Sequence, residues 1–118
     1  MKVLELTKAG PDAPNVWIEA GIHAREWIAP AMSTYIIESL LTNDADGFLD
    51  KLNFFILPSA NPDGYEYSRS SDRLWRKTRS DHGSILRCKG VDGNRNWGFH
   101  FAGKQGHTSR RFVLRMKY

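Results

Sequence analysis

An α/β layered fold is predicted by three observations on this 118-residue sequence. The run NVWIEAG at 15–21 is rich in β-formers, and a helical apolar period begins directly after it at Glu26. Further on, NFFILP at 53–58 is continuously apolar, as in a strand covered on both faces. A strand, a helix and a buried strand in succession place flanking helices against a sheet.

Taken in order, VLEL at the amino end and NVWIEAG read as two strands joined by the tight, turn-rich connection KAGPDAP, the first being an edge candidate. From Glu26 to about Leu41 the apolar residues Ile28, Met32, Tyr35, Ile36 and Leu40 recur at three and four, with Pro30 tolerable in a first helical turn. TNDADG is a polar break, FLDKL a short helical turn, and NFFILP a central strand. After it come turn signals in SANPDGY, the basic and aromatic RLWRKTRS, the loop GVDGNRNWG and the tail KQGHTSRRFVLRMKY. There is no internal repeat and no low-complexity segment.

Seventeen Lys and Arg against thirteen Asp and Glu give a formal charge of +4, which favours anionic partners without requiring nucleic acid. The longest apolar stretches are too short and interrupted to span a bilayer, and MKVLELTKAG lacks the apolar core of a secretory signal. The single cysteine, Cys88, suits a reducing compartment or a partner cysteine outside this sequence; its default reading is a small buried hydrophobe.

In GIHAREW, His23 and Glu26 stand three apart across the predicted strand-to-helix junction. A catalytic zinc takes three protein ligands and keeps one open position, and this pair can supply two of the three. Glu26 favouring a helix N-terminus is the competing reading. No HExxH is present, and Trp27 stands where an inverted HxxEH motif requires histidine, so thermolysin-like patterns are excluded. Arg76 lies within RLWRKTRS, and Arg95 is flanked by Asn94 and Asn96; guanidinium groups pair with carboxylates through two parallel hydrogen bonds. RLWRKTRS also has the make-up of a basic and aromatic nucleic-acid patch.

GIHAREWIAPA, NPDGYEYS, RLWRKTRS and GVDGNRNWGF, in this order, resemble the zinc metallocarboxypeptidases of the carboxypeptidase A and B kind over residues 3 to 103. The resemblance implies a mixed β-sheet with flanking helices, partial and incomplete at both ends, a catalytic domain over 1–103 and a divergent basic tail over 104–118. It implies Zn2+ held by His23 and Glu26. By the same resemblance Arg76 polarises the scissile carbonyl and stabilises the oxyanion, Asn94 and Arg95 grip the substrate's terminal carboxylate, and Arg25 and Arg73 line the outer substrate path. The expected partner is a peptide or protein C-terminus, with neither nucleic acid nor membrane, and the expected location is extracellular, although this chain itself contains no signal peptide.

The family's third zinc-ligating histidine, general-base glutamate, substrate-capping tyrosine and cysteine partner for Cys88 belong downstream of GVDGNRNW, and the match starts near the family's second strand. His82, His100 and His107 are not in a ligand setting. Three functions therefore stand side by side: a zinc carboxypeptidase, a non-catalytic binder of C-terminal carboxylates, and a basic nucleic-acid binder. The preference for basic or apolar terminal residues is set by a pocket floor beyond this sequence.

Overall fold

The structure, a computed structural model, describes residues 1–44, 46–81, 83 and 88–98. Within them the chain runs β1 (Leu4–Leu6), β2 (Asn15–Glu19), α1 (Ile28–Thr42), a 3-10 turn at Phe48–Asp50, β3 (Asn53–Leu57), α2 (Pro62–Ser70) and a second 3-10 turn at Gly93–Arg95. The sheet order is β1-β3-β2, with β1 antiparallel and β2 parallel to β3. The sheet is mixed, NFFIL is its centre, and β1 lies at one edge. The two strands joined by KAGPDAP do not pair with each other, because β3 sits between them. Asn53 anchors that connection, its Nδ2 donating to the Gly10 carbonyl at 2.7 Å.

The register explains the core. Leu4, Ile56 and Ile18 lie side by side, as do Leu6, Phe54 and Val16, so the alternate residues of all three strands share one face. Phe54 and Ile56 pack there with Leu40, against Ile36 and Ile37 of α1 and with Leu49 and Leu52 at the rim. Ile56 is wholly buried, a placement that stabilises by about 1.5–3 kcal/mol for a side chain of its size.

α1 begins two residues later than its apolar period suggested, because residues 23–26 make a separate turn in which the Glu26 amide donates to the His23 carbonyl at 3.2 Å. Its inward face is Ser33, Ile36, Ile37 and Leu40, while Ile28, Met32 and Tyr35 from the predicted stripe point outward. The helix is apolar on two sides, and period alone does not rank them.

The turn signals of SANPDGY predict no helix where the structure has α2. Asn-Pro-Asp-Gly signals a turn, yet it also suits a helix start: Asn61 is the N-cap, its side chain accepting from the Gly64 amide, and Pro62 occupies the first helical position, where no amide hydrogen is needed. No helix among the described residues is long and apolar enough to cross a membrane. Cys88 is free and exposed rather than buried. The proposed division at residue 103, the tail, and His82, His100 and His107 lie outside the described residues.

Candidate metal and carboxylate site

The site grows from the carboxyl ends of β2 and β3, the place where open α/β sheets form crevices. The ladder runs past the strands, with the Ala20 amide on the Leu57 carbonyl at 3.0 Å and the Ala60 amide on the Ala20 carbonyl at 2.8 Å. Gly21 then turns the chain at φ 71°, a conformation that favours glycine, and a Cβ there would press on Pro30 Cγ at 3.1 Å. The turn delivers His23, buried, and Glu26, exposed, to one side of the sheet end.

His23 is held at both ring nitrogens. Nδ1 lies 2.9 Å from Glu26 Oε1 and Nε2 lies 3.2 Å from Asp92 Oδ1. Arg76 completes the group, its Nε donating to Asp92 Oδ2 at 2.9 Å and its Nη1 standing 3.5 Å from Glu26 Oε1. Backbone contacts fix the arginine's approach: the Ala24 amide donates to the Arg76 carbonyl at 3.1 Å, and the Thr78 amide to the Val91 carbonyl at 3.0 Å. His23, Glu26 and Arg76, three of the residues singled out in the sequence, therefore meet at one point.

Asp92 is the member that sequence reasoning missed, although it lies inside the quoted GVDGNRNWG. Its Oδ1 accepts from the Asn94 amide at 3.0 Å and so caps the turn at 93–95 while it holds His23. Burial pushes its carboxyl up. The hydrogen bond and charge of Arg76, followed by those of His23, outweigh burial and hold the group below its ordinary value. A metal-ligating imidazole usually hands its second nitrogen to a carboxylate, and that requirement is the signal that could have found Asp92.

Asn94 and Arg95 stand exposed on the turn immediately after Asp92, with Arg95 Nη1 donating to the Asn94 carbonyl at 2.9 Å. Arg73 is committed elsewhere: its guanidinium stacks 3.8 Å from the Trp27 ring and donates to the Arg25 carbonyl at 2.9 Å. Arg25 itself is exposed. Among the described residues, none of these four side chains has a hydrogen bond to His23, Glu26 or Arg76.

The His23–Glu26 pair fits two of the three protein positions of a catalytic zinc. With Nε2–H given to Asp92, Nδ1 presents a lone pair to the Glu26 carboxylate, and that contact needs either a second proton or a cation between the two. Nitrogen and carboxylate oxygen at 2.9 Å are a few tenths of an ångström closer than two ligands on one tetrahedral zinc, for which about 3.3 Å follows from ligand distances near 2.0 Å. Asp92 lies on the far side of the ring, so among the described residues no set of three His, Cys, Asp or Glu side chains converges on one point.

The family model for zinc carboxypeptidases matches residues 1–113. Carboxypeptidase B of Astacus astacus is 55% identical over 103 residues, 86% of this chain and 34% of that protein. Carboxypeptidase A4 of Mus musculus is 47% identical over 103 residues, 83% of this chain and 24% of the relative. Among solved structures, thrombin-activatable fibrinolysis inhibitor superposes with a TM-score of 0.78 at 38% identity, over 86% of this chain and 27% of that one. Carboxypeptidase A from Helicoverpa armigera gives a TM-score of 0.75 at 32% identity, over 86% of this chain and 26% of that structure. The chain thus spans about a third or less of the length of these relatives. With the family model matched over residues 1–113 and relatives up to 55% identical, this chain belongs to the zinc carboxypeptidase family, which implies Zn2+ as its cofactor.

Proposed function

We propose that this sequence carries two metal ligands and the anion-binding residues of a metallocarboxypeptidase that releases C-terminal amino acids from peptides outside the cell. The observation that carries the reading is the convergence of His23 Nδ1 and Glu26 Oε1 at 2.9 Å beside the Arg76 guanidinium. His23 and Glu26 would hold Zn2+, which when bound supplies Lewis-acid activation of water and of the scissile carbonyl.

The remaining roles belong to the chain's own side chains. Asp92 keeps the proton on His23 Nε2 and fixes the ring plane, leaving Nδ1 as the ligating atom. Arg76 contributes positive charge, pre-aligned by Asp92, toward the oxygen on which negative charge builds up in acyl transfer. Asn94 and Arg95 supply a neutral donor and a guanidinium fork for the substrate's free carboxylate, and their exposure leaves them open to it. Arg25 and Arg73 line the approach.

Release of a C-terminal residue from a chromogenic peptide tests the reading, with the peptide's C-terminal amide as control. The expected result is release from the acid alone, abolished by a chelator and by His23→Ala. Metal-independent release, or equal turnover of acid and amide, overturns it. Binding of the peptide acid but not the amide, with no release at any zinc concentration, supports instead the carboxylate-binding reading that the exposed Asn94 and Arg95 also allow.

A further inference from the structure

We infer that Asn61 is a positioning residue that locks the zinc-ligand turn to the arginine segment and so sets the geometry between His23 and Arg76; this rests on the metal reading proposed above. Its side chain is buried, with 4% of the residue exposed. Nδ2 donates both of its hydrogens, to the Ile22 carbonyl at 3.2 Å and to the Lys77 carbonyl at 3.0 Å, and Oδ1 accepts from the Gly64 amide at 3.0 Å. Ile22 precedes His23 by one residue, and Lys77 follows Arg76 by one.

One carboxamide therefore grips the backbone beside the ligand and beside the arginine at once, from the N-cap of α2. The direct bond from the Ala24 amide to the Arg76 carbonyl closes the arrangement on the other side of His23. Hydrogen bonds on both sides of a residue remove the hinge freedom that would let its side chain drift, and a drift of an ångström is enough to spoil a metal or oxyanion site.

Gly64 carries the second observation. The carboxamide lies directly over its Cα, and a Cβ there would meet Asn61 Nδ2, Oδ1 and Cγ at 2.5–2.7 Å. Glycine inside a helix is less favourable than alanine, and Gly64 is not at a positive φ that would require it for its own backbone. The space it leaves is filled by the Asn61 side chain. Local helix propensity is given up where it makes room for a buried tie between two site segments.

Two substitutions separate capping from tying. Asn61→Asp retains an oxygen for the Gly64 amide but turns the donor into a second oxygen facing two carbonyls; Asn61→Ser caps equally well, adds no charge and cannot span to Ile22 and Lys77. Each is measured in the full chain by amide hydrogen exchange and by zinc affinity in competition with a chelating dye. The expected outcome is Gly64 protection close to that of the unsubstituted chain, Ala24 protection lower by about tenfold or more, and zinc binding weaker by about 10–100-fold, the usual loss for a supporting residue. Gly64→Ala, which displaces the same carboxamide from the opposite side, is expected to lower Ala24 protection and zinc affinity together.

Equal loss of protection at Gly64 and Ala24 marks a general destabilisation and overturns the inference. So does unchanged Ala24 protection in both Asn61 variants, or unchanged zinc affinity in a variant whose Ala24 amide has opened. If the unsubstituted chain binds no zinc, the metal reading fails by itself, and the contrast between Ala24 and Gly64 still decides whether Asn61 ties the two segments.

Discussion

At the residue scale, Asp92 shows what a linear motif leaves out. His23 and Glu26 are visible in the sequence because they are three apart, and Arg76 because its neighbours are distinctive. Asp92 acquires its role only when folding brings it to a histidine 69 positions away. Its removal separates two effects. Asp92→Asn retains the shape and the turn cap but loses the charge facing Arg76 and His23. Zinc affinity is expected to fall by about 10–100-fold, measured by competition titration. The pH dependence of stability should change as well. Because the folded-state carboxyl lies below its ordinary value of 3.8, its stabilisation is fully present above that pH and is lost as the pH falls through the lower folded-state value. Thermal melts across the acid range should therefore show Asp92→Asn losing part of the acid-induced drop that the unsubstituted chain displays. Parallel curves for the two proteins would show that the Asp92 ion pairs add nothing to stability.

At the element scale, legibility followed burial. β3 was readable because both of its faces are covered, which leaves an uninterrupted apolar run. α2 was not, because its opening residues serve turns and helix starts alike, and its packing is divided between a buried hydroxyl and two isolated rings: Ser68 Oγ bonds the Ala24 carbonyl at 3.0 Å and receives the Trp27 indole at 2.9 Å, while Tyr65 and Tyr67 meet Trp27 and Trp75 edge-on. No apolar period records contacts of that kind. The pairing of the arginine segment with residues 89–92 was equally invisible, since it is made by backbone groups and depends on one glycine. Gly90 sits at φ 74°, and a Cβ on it would land on the Thr78 carbonyl oxygen. Gly90→Ala therefore meets both a left-handed backbone penalty of about 1–2 kcal/mol and a backbone collision that no rotamer relieves. The Thr78–Val91 and Gly90–Ser80 bonds at 3.0 and 2.8 Å should break, with a loss in denaturant midpoint and a larger loss in zinc affinity as Asp92 leaves His23. A variant as stable as the parent in chemical denaturation would show that this close approach is dispensable.

At the scale of the whole molecule, two surfaces decide behaviour in solution. The first is basic. A charge of +4 and the interleaved RLWRKTRS would suit single-stranded nucleic acid if the rings stood open for bases. Its one ring, Trp75, is covered instead, with Arg79 4.6 Å from it, and the neighbouring rings are covered too, with Arg79 3.6 Å from Tyr67 and Arg73 over Trp27. A labelled oligonucleotide should show no anisotropy change up to about 100 μM chain at about 50 mM salt, and tight, steeply salt-dependent binding would contradict this use of the arginines. The second surface is apolar. Ile28, Met32 and Tyr35 are 78%, 55% and 65% exposed along one side of α1, and Trp17 is 55% exposed on the sheet face opposite the core. Among the described residues β2 has a strand on one side only, so apolar side chains and unpaired backbone groups face solvent together. Light scattering on the 118-residue chain should therefore show self-association that grows with concentration. Replacing Ile28 and Tyr35 with glutamate should suppress it while shifting unfolding by only about 0.5 kcal/mol per site, since neither side chain contributes to the core. Association that survives both substitutions would point to the β2 edge, and a lysine in place of Trp17 would then be the change that blocks it.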